Sequence, residues 1–438
     1  MSEAINYNDR FRPRAQSLFE NRQRTYSELT ISLLDRFLTS RKLTNISNET
    51  TAPSSDECEF IIRNGTRRTI FFICQPLIAG LLVFPLLILF WQAGWNFMVE
   101  LIGPPPPGKH RATLPQHWTT LPILYIMAQV IFLLIYLNQD RLYDYLHKRK
   151  NKLFISIILQ CHNFLTSSTY ILQWVSMWTI WDLYTSADWL LMLIVSVAAI
   201  LAVIAIMGHP CDLVCAPFIL SYDSIEYNIR IGSPFVTEKI NECLAHLLNY
   251  IFYEFIMSLL SILAWRGSYK LLDVFLYPEN PHMSAALSLC LGYPFYFLLM
   301  YTQSYSDKSC LLPTFIYLNY PSFIQTIRHL TAFFTCILLW RGFWLLFDED
   351  IATMSLAKES PCLFYILCMS ISFFILSLMR TASSINGPMS HMSDRYDLFP
   401  HYPNCYLIHW FNQMENSDET ASDSSRNTTI EPYSNSFL

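Results

Sequence analysis

WRGSYKLLD, residues 265–273, places two aromatic side chains four positions apart and an aspartate four positions further on. The same spacing recurs at residues 174–182 and 340–348, and a looser copy at residues 91–100 has its acid, Glu100, one position late. Residues four apart are neighbours on a helix surface, so each copy predicts a stripe of two rings and a carboxylate near a helix end. Such recurrence indicates an internal repeat. The repeated motif comprises Trp91, Trp95, Trp174, Trp178, Asp182, Trp265, Arg266, Gly267, Tyr269, Asp273, Trp340, Arg341, Gly342, Trp344 and Asp348.

The composition indicates a membrane protein. Hydrophobic residues make up 53% of the 438 residues and charged residues only 14%, too apolar a balance for a soluble chain of this length. Runs of about 20 apolar residues, enough to cross a bilayer, occur eight times, and the odd-numbered runs end in the motif. We therefore predict an all-α polytopic membrane protein whose eight transmembrane helices form four repeated two-helix hairpins, arranged in a ring or a row. The runs cover residues 69–92, 121–137, 153–174, 189–207, 243–265, 285–301, 323–340 and 362–379.

The flanking segments suggest the orientation. We predict a partly disordered N-terminal segment (residues 1–68), a membrane domain (residues 69–380) and a C-terminal tail (residues 381–438) that is disordered after about residue 415. Lys and Arg are more abundant on the side that carries the termini, which places both termini in the cytosol and the motif outside. Glycosylation sequons at Asn45, Asn48 and Asn64 argue the other way, but short sequons often arise by chance.

The motif itself has two interpretations. Its tryptophans suit an aromatic belt at the membrane interface. Its aspartates need another reason, because a carboxylate at a helix C-terminus opposes the macrodipole at a cost of about 0.3–1 kcal/mol. Arg266 and Arg341 directly follow the first tryptophan of their copies. We predict that an arginine of one repeat pairs with an aspartate of a neighbouring repeat as a structural lock, with Gly267 and Gly342 allowing close backbone approach. A ligand site is the alternative.

A second alignment concerns polar residues in the middle of the spans. The positions eleven residues before each repeat tryptophan hold Gly80, Asn163, Glu254 and His329, and Arg328 precedes the last of these. Ionisable groups at such depth normally face the bundle interior and pair, so we expect Glu254 to pair with His329 or Arg328. Such a group can be a satisfied polar network or the substrate and proton site of a transporter.

Other chemistry is not indicated. The sequence contains no phosphate-binding glycine loop, no His-Glu-x-x-His and no nucleophile elbow, so we expect no enzyme, no metal site, no cofactor and no nucleic-acid partner. The chain ends in Ser436, Phe437 and Leu438, a triplet that suits the groove of a PDZ domain by strand addition.

The repeated WRG at residues 265–267 and 340–342, the segment at residues 173–182 and the eight runs resemble the Fuseless proteins over about residues 69–380. The resemblance implies an eight-pass invertebrate membrane protein of presynaptic terminals. It also implies a role in organising voltage-gated calcium channels and transmitter release at the plasma membrane. The expected partners are then the lipid bilayer and a calcium channel or PDZ scaffold. A transporter or lipid-handling protein that uses the midplane polar residues is the alternative.

Overall fold

The computed structural model describes residues 70–71, 73–102, 120–185, 188–229, 241–306 and 321–386. These residues form helices and no β-strand, in agreement with the predicted all-α class. The long helices are α1 (Ile73–Ile102), α2 (Thr120–His147), α3 (Lys152–Tyr184), α4 (Trp189–Met207), α5 (residues 242–275), α6 (Pro281–Ser306), α7 (residues 321–351) and α8 (Pro361–Leu378). Helices α1, α5 and α7 each contain a π-helical segment, at Ala79–Val83, Ile251–Met257 and Phe347–Ile351.

Seven of these helices are long and apolar enough to cross a membrane, which supports a polytopic membrane protein. The exception is α3, which has 33 residues but is less apolar. Its polarity comes from buried side chains such as Asn163, Ser167 and Gln173, each fully shielded from solvent by neighbouring helices. Because those side chains face protein, they do not argue against a membrane location. The eighth span therefore stays a prediction.

The odd-numbered helices form a closed inner ring. Helix α1 contacts α3, α3 contacts α5, α5 contacts α7, and α7 contacts α1. The even-numbered helices lie outside, and each packs most extensively on the odd helix that follows it: α2 on α3, α4 on α5, α6 on α7, and α8 back on α1. The predicted hairpins of an odd helix with the next even helix are thus not confirmed as packing units. The arrangement is a ring and not a row.

Two glycines of the motif account for the close packing in two of these four pairs. A Cβ atom on Gly267 of α5 would lie 2.6 Å from the Cβ of Ser196 and 2.8 Å from the carbonyl oxygen of Met192, both on α4. A Cβ atom on Gly342 of α7 would lie 2.6 Å from Leu289 of α6. Small residues at these crossings let α4 and α6 approach the inner ring closely.

The outer helices present apolar side chains to their surroundings. Large exposed hydrophobic residues occur along all four even helices, including Leu134, Ile194, Leu298 and Phe374. An apolar outer surface around a polar-containing interior is the pattern expected of a bundle surrounded by lipid.

Two segments, each with only a short 3₁₀ helix, close one end of the ring. Helix α4 ends at Gly208, which has a left-handed backbone (φ 82°), and residues 208–223 then turn back into the bundle. Residues 380–386 do the same after α8. We call these two segments the plug, their end of the bundle the plug end, and the opposite end the motif end. Leu213 and Val214 of the plug are completely buried.

Several hydrogen bonds join the two plug segments, among them those of the Asp223 carboxylate. Asp223 accepts hydrogen bonds from the backbone N–H groups of Ser383 (2.8 Å) and Ala382 (3.2 Å), and from the side-chain amide of Gln160 (2.7 Å) on α3. Asp223 is only 8% exposed. Because irregular backbone buried in a membrane protein must find partners within the protein, Asp223 allows the second segment to lie inside the ring.

Candidate functional site

Four tryptophans, one from each inner helix, form a closed ring around the bundle axis. Neighbouring ring centroids lie 5.9 Å apart for Trp91–Trp174, 6.2 Å for Trp174–Trp265, 5.8 Å for Trp265–Trp340 and 5.9 Å for Trp340–Trp91. All four contacts are edge-to-face, an arrangement in which the positive edge of one ring meets the negative face of the next. We call this ring the tetrad.

The plug satisfies the indole N–H groups of three tetrad members. Trp91 donates to the carbonyl of Ile385 at 2.8 Å, Trp265 to that of Leu213 at 3.1 Å, and Trp340 to that of Ala216 at 3.1 Å. The tetrad is therefore the layer on which the plug rests.

The second aromatic positions of the motif form another tier, one helical turn toward the motif end. Trp95 lies 5.7 Å from Trp178 and 5.5 Å from Trp344, and Trp178 lies 5.8 Å from Tyr269. These contacts are also edge-to-face. The rings of both tiers face one another across the bundle interior. The aromatic-belt interpretation is wrong for this motif, because rings that contact each other inside the bundle do not anchor it at the lipid interface.

An ion pair links the second and third repeats. Arg266 of α5 lies 2.7 Å from Asp182 of α3 and also donates to the hydroxyl of Thr185 at 2.8 Å. The arginine is 4% exposed, whereas the aspartate is 38% exposed. The buried guanidinium thus has its charge neutralised at the motif end of the bundle.

The third and fourth repeats are linked in the same way. Arg341 of α7 donates to Asp273 of α5 at 2.9 Å. Ser288 and Ser284 of α6 each accept a further hydrogen bond from Arg341 at 2.9 Å. Both arginines therefore pair with the aspartate of the preceding repeat, which is the kind of pairing that the sequence predicts. Whether these pairs act as a lock stays a prediction.

The fourth and first repeats are joined by amides in place of a guanidinium. Gln92 occupies the position that Arg266 and Arg341 occupy in their repeats, and it donates to Asp348 of α7 at 2.8 Å. Asn96 of α1 donates to the same carboxylate oxygen at 3.4 Å. From the sequence, Gln92 is visible as the residue that replaces the arginine in the first copy, but neither Gln92 nor Asn96 was predicted to bind the aspartate.

The interface between the first and second repeats has a different character. The position after Trp174 is Val175, which is completely buried, and the position eight residues after Trp91 is Val99. Apolar side chains thus occupy the places that hold the donor and the acid at the other three interfaces.

The motif end contains a cavity of about 490 Å³, which we call the vestibule. Its floor is formed by the tetrad and by Cys215 of the plug, its walls by the second aromatic tier, and its charged groups include all three motif aspartates. The residues of the motif, scattered over four helices, therefore line one shared space. The lining residues are Trp91, Trp95, Asn96, Val99, Trp174, Trp178, Thr179, Asp182, Cys215, Trp265, Tyr269, Lys270, Asp273, Trp340, Trp344, Leu345, Asp348 and Glu349.

The prediction that Glu254 pairs with His329 or Arg328 is wrong. Glu254 is completely buried in the π-helical segment of α5 and accepts hydrogen bonds from Tyr136 (3.0 Å) and Tyr170 (3.2 Å). The amide of Gln173 donates to its backbone carbonyl at 3.1 Å and to its carboxylate at 3.4 Å. The partners lie on α2 and α3, because α5 turns this face away from α7.

The other midplane residues lie in separate places. The side-chain oxygen of Asn163 accepts from Asn228 at 3.0 Å beside the plug. His329 stacks edge-to-face on His209, with ring centroids 6.1 Å apart, and Arg328 donates to Thr302 of α6. Equal spacing from the tryptophan put these residues at one depth, but helix rotation directs them to different neighbours. The predicted midplane group is not one site.

Some predictions lie outside the described residues. The C-terminal triplet, the sequons and most of the two tails fall there. The orientation of the bundle in a membrane likewise stays a prediction.

Comparison with known proteins identifies the family. The family model Fuseless matches residues 71–386, which include every long helix almost completely and both plug segments. No characterised protein and no solved structure gives a significant match. Since the family model covers well over half of the sequence, the chain belongs to the Fuseless family.

Proposed function

We propose that this protein is a non-enzymatic membrane organiser that supports voltage-gated calcium channels and transmitter release at presynaptic terminals. Membership of the Fuseless family supports the proposal, through the role that the resemblance implies. We also propose that α3 crosses the membrane, because Trp174 and Trp178 meet their partners on α1 and α5 in the same two tiers. With eight spans both termini lie on one side of the membrane, and the distribution of Lys and Arg favours the cytosolic side.

The observation that carries the organiser proposal is that the axis of the bundle is closed between the vestibule and the plug end. The tetrad closes the centre of the ring, and the plug rests directly on it through three indole hydrogen bonds. A bundle closed in this way suits a rigid body that offers its outer helices and tails to partners. Its exposed apolar faces can contact lipid or the spans of a channel.

The first test is the removal of the protein from its native neurons, followed by recording calcium influx evoked by action potentials. We expect influx to fall and calcium channels to be depleted from release sites, with recovery on re-expression of the wild-type chain. Unchanged influx and unchanged channel density would contradict the organiser proposal.

The same neurons test the tail. Strand addition directs alternate side chains into a PDZ groove, so Ser436→Ala and Leu438→Ala should impair rescue if a PDZ scaffold attaches there. Phe437→Ala is the matched control, because its side chain faces away from such a groove. Full rescue by all three variants would place channel attachment elsewhere on the molecule.

A transporter is the second candidate, and Glu254 favours it. A buried carboxylate in a π-helical segment of a span is the kind of group that carries protons or ions in membrane proteins. Glu254→Gln with normal surface expression and altered pH-dependent currents would favour transport. If the variant only misfolds, the carboxylate serves structure, as its bonds to Tyr136 and Tyr170 suggest.

A further inference from the structure

The vestibule has the dimensions of a small-molecule site. Its volume of about 490 Å³ lies within the range of roughly 300–1,000 Å³ that is typical of ligand pockets. It is built by rigid elements, since its floor and walls come from four helices that contact one another in a closed ring. A ligand would therefore meet a preformed cavity.

The lining is dominated by aromatic rings. Eight rings in two tiers surround the space, and seven of the eleven tryptophans in the chain are among them. The faces of such rings carry negative electrostatic potential and attract cations, with tryptophan the strongest. One wall already holds a cation in this manner, because the guanidinium of Arg341 lies 6.0 Å from the ring centroid of Tyr269.

The charged groups of the vestibule also favour a cation. Asp182, Asp273, Asp348 and Glu349 line it, against the single ammonium of Lys270. Even when the two guanidinium groups bonded to these aspartates are included, one negative charge remains in excess. The potential inside the vestibule therefore disfavours anions.

The aromatic and acidic groups are correctly spaced for one ligand. In each regular copy the aspartate follows the second ring by four residues, which is about 6 Å along a helix axis. A cationic group between the rings of the second tier is then within reach of the carboxylates above it. We infer that the vestibule is a binding site for a small organic ammonium ion, held between the second aromatic tier and the motif carboxylates.

A metal ion fits this space less well. Hard cations such as Ca²⁺ require six to eight oxygen ligands at short distance. The described residues contain no group of three or more His, Cys, Asp or Glu side chains placed to hold a metal ion. An organic ammonium ion is weakly hydrated and gains from the ring faces that make up most of the wall.

Choline and its uncharged carbon isostere 3,3-dimethyl-1-butanol form a matched pair of probes. The purified full-length protein in lipid nanodiscs is titrated with each while tryptophan emission is recorded, and binding of tritiated choline is measured in parallel. We expect saturable quenching by choline and an affinity for the alcohol at least about tenfold weaker, since cation–π attraction acts only on the charged probe.

Substitutions within the vestibule sharpen the test. Trp178→Leu should weaken choline binding about tenfold, whereas Trp189→Leu, on the exposed surface of α4, should not change it. Lys270→Gln should tighten binding about threefold and Glu349→Gln should weaken it about threefold, because each changes one charge beside the ligand. Glu359→Gln is the control for the acidic position, because Glu359 is exposed and does not line the vestibule.

The binding results either support or overturn a cation site in the vestibule. Preference for choline together with opposite effects of the two rim substitutions supports the inference. Equal affinity for choline and the alcohol would show an apolar cavity without cation recognition and would overturn it, as would the lack of any saturable choline binding. If Trp178→Leu fails to fold, the substitutions at Lys270 and Glu349 decide the question, because both side chains lie at the rim and are partly exposed.

Discussion

At the motif end of the bundle, four copies of one aromatic ladder meet around an axis, and side-chain links join neighbouring helices at three of the four interfaces. At the plug end, two chain segments without a shared motif fold into the ring and are held by backbone groups, the Ser384 hydroxyl and the buried carboxylate of Asp223. The motif end follows a four-fold repeat, because each inner helix contributes the same side chains at the same height.

The plug end follows a two-fold pattern instead. Its segments come after α4 and after α8, half the bundle apart. Trp265 of α5 donates to the first segment and Trp91 of α1 donates to the second, while Trp340 of α7 adds a further bond to the first. The same two helices carry π-helical segments in the half that lies toward the plug. A four-fold aromatic core therefore supports a plug end that is built from two segments.

The largest effect is expected at the tetrad, where both ends of the molecule meet. Trp265→Ala removes edge-to-face contacts with two tetrad members and with Phe333, and it removes the bond to Leu213. We expect a loss of about 3–5 kcal/mol of stability, typical of removing a large buried aromatic side chain. Size-exclusion profiles and melting temperatures of the detergent-purified protein measure it. Trp189→Ala, at a 47% exposed position, is the control, and equal melting of the two variants would contradict the prediction.

Removing the Asp223 carboxylate should lower the stability of the protein almost as much as removing Trp265. Asp223→Ala leaves the N–H groups of Ala382 and Ser383 and the amide of Gln160 without their acceptor. Unsatisfied buried donors cost roughly 1–3 kcal/mol each, so we expect a loss of about 3 kcal/mol and faster proteolysis after α8. Asp188→Ala, which removes only the exposed N-cap of α4, should cost about 1 kcal/mol. Identical protease sensitivity in both variants would show that Asp223 does not hold the plug.

A substitution at the crossing of α4 and α5 should lower stability by a smaller amount. Gly267→Ala places a methyl group 2.6 Å from the Cβ of Ser196 and 2.8 Å from the carbonyl of Met192. Overpacking of this kind typically costs about 1–3 kcal/mol, and we expect a correspondingly lower melting temperature. Adding Ser196→Gly should recover part of the loss, since it removes one of the two collisions. If the losses of the two substitutions simply add in the double variant, the collision with Ser196 is not the cause of the instability.

The ion pairs at the motif end should contribute less to stability than the helix crossing at Gly267. Asp273→Asn leaves the buried guanidinium of Arg341 without its anion, although Ser284 and Ser288 still accept from it. Because the aspartate is one-third exposed, water screens the pair, and we expect a loss of about 1–2 kcal/mol. Unchanged assembly and unchanged melting temperature would rule out a lock at this interface.

The smallest effect is expected for Arg266→Gln. This substitution copies the link that Gln92 makes naturally to Asp348 at the neighbouring interface. A neutral amide donor replaces a guanidinium, so the loss should be about 1 kcal/mol or less. Arg266→Leu, which cannot donate, should cost more, and a double-mutant cycle with Asp182→Asn measures the coupling. If glutamine and leucine cost the same, the hydrogen bond at this position contributes nothing.

Much of the motif end could be predicted from the sequence. The spacing of the repeated motif put two rings and an acid on one helix stripe, and the arginine after the tryptophan indicated pairing between neighbouring repeats. The rotation of each helix could not be predicted in this way. Glu254 and His329 share a position in their repeats, but one faces α2 and α3 while the other meets His209. A spacing fixes depth along a helix, and the neighbouring helices fix what each side chain meets.

A helical membrane protein with an internal repeat can be predicted from the sequence alone, because apolar length and side-chain periodicity are local properties of the chain. The closure of the repeats into a ring, the packing of each outer helix on the inner helix that follows it, and the two segments at the plug end are visible only in the folded molecule. Those features depend on contacts between residues far apart in sequence, such as the bond from Trp91 to Ile385. The vestibule belongs to the same class, since it exists only where four distant copies of one motif meet.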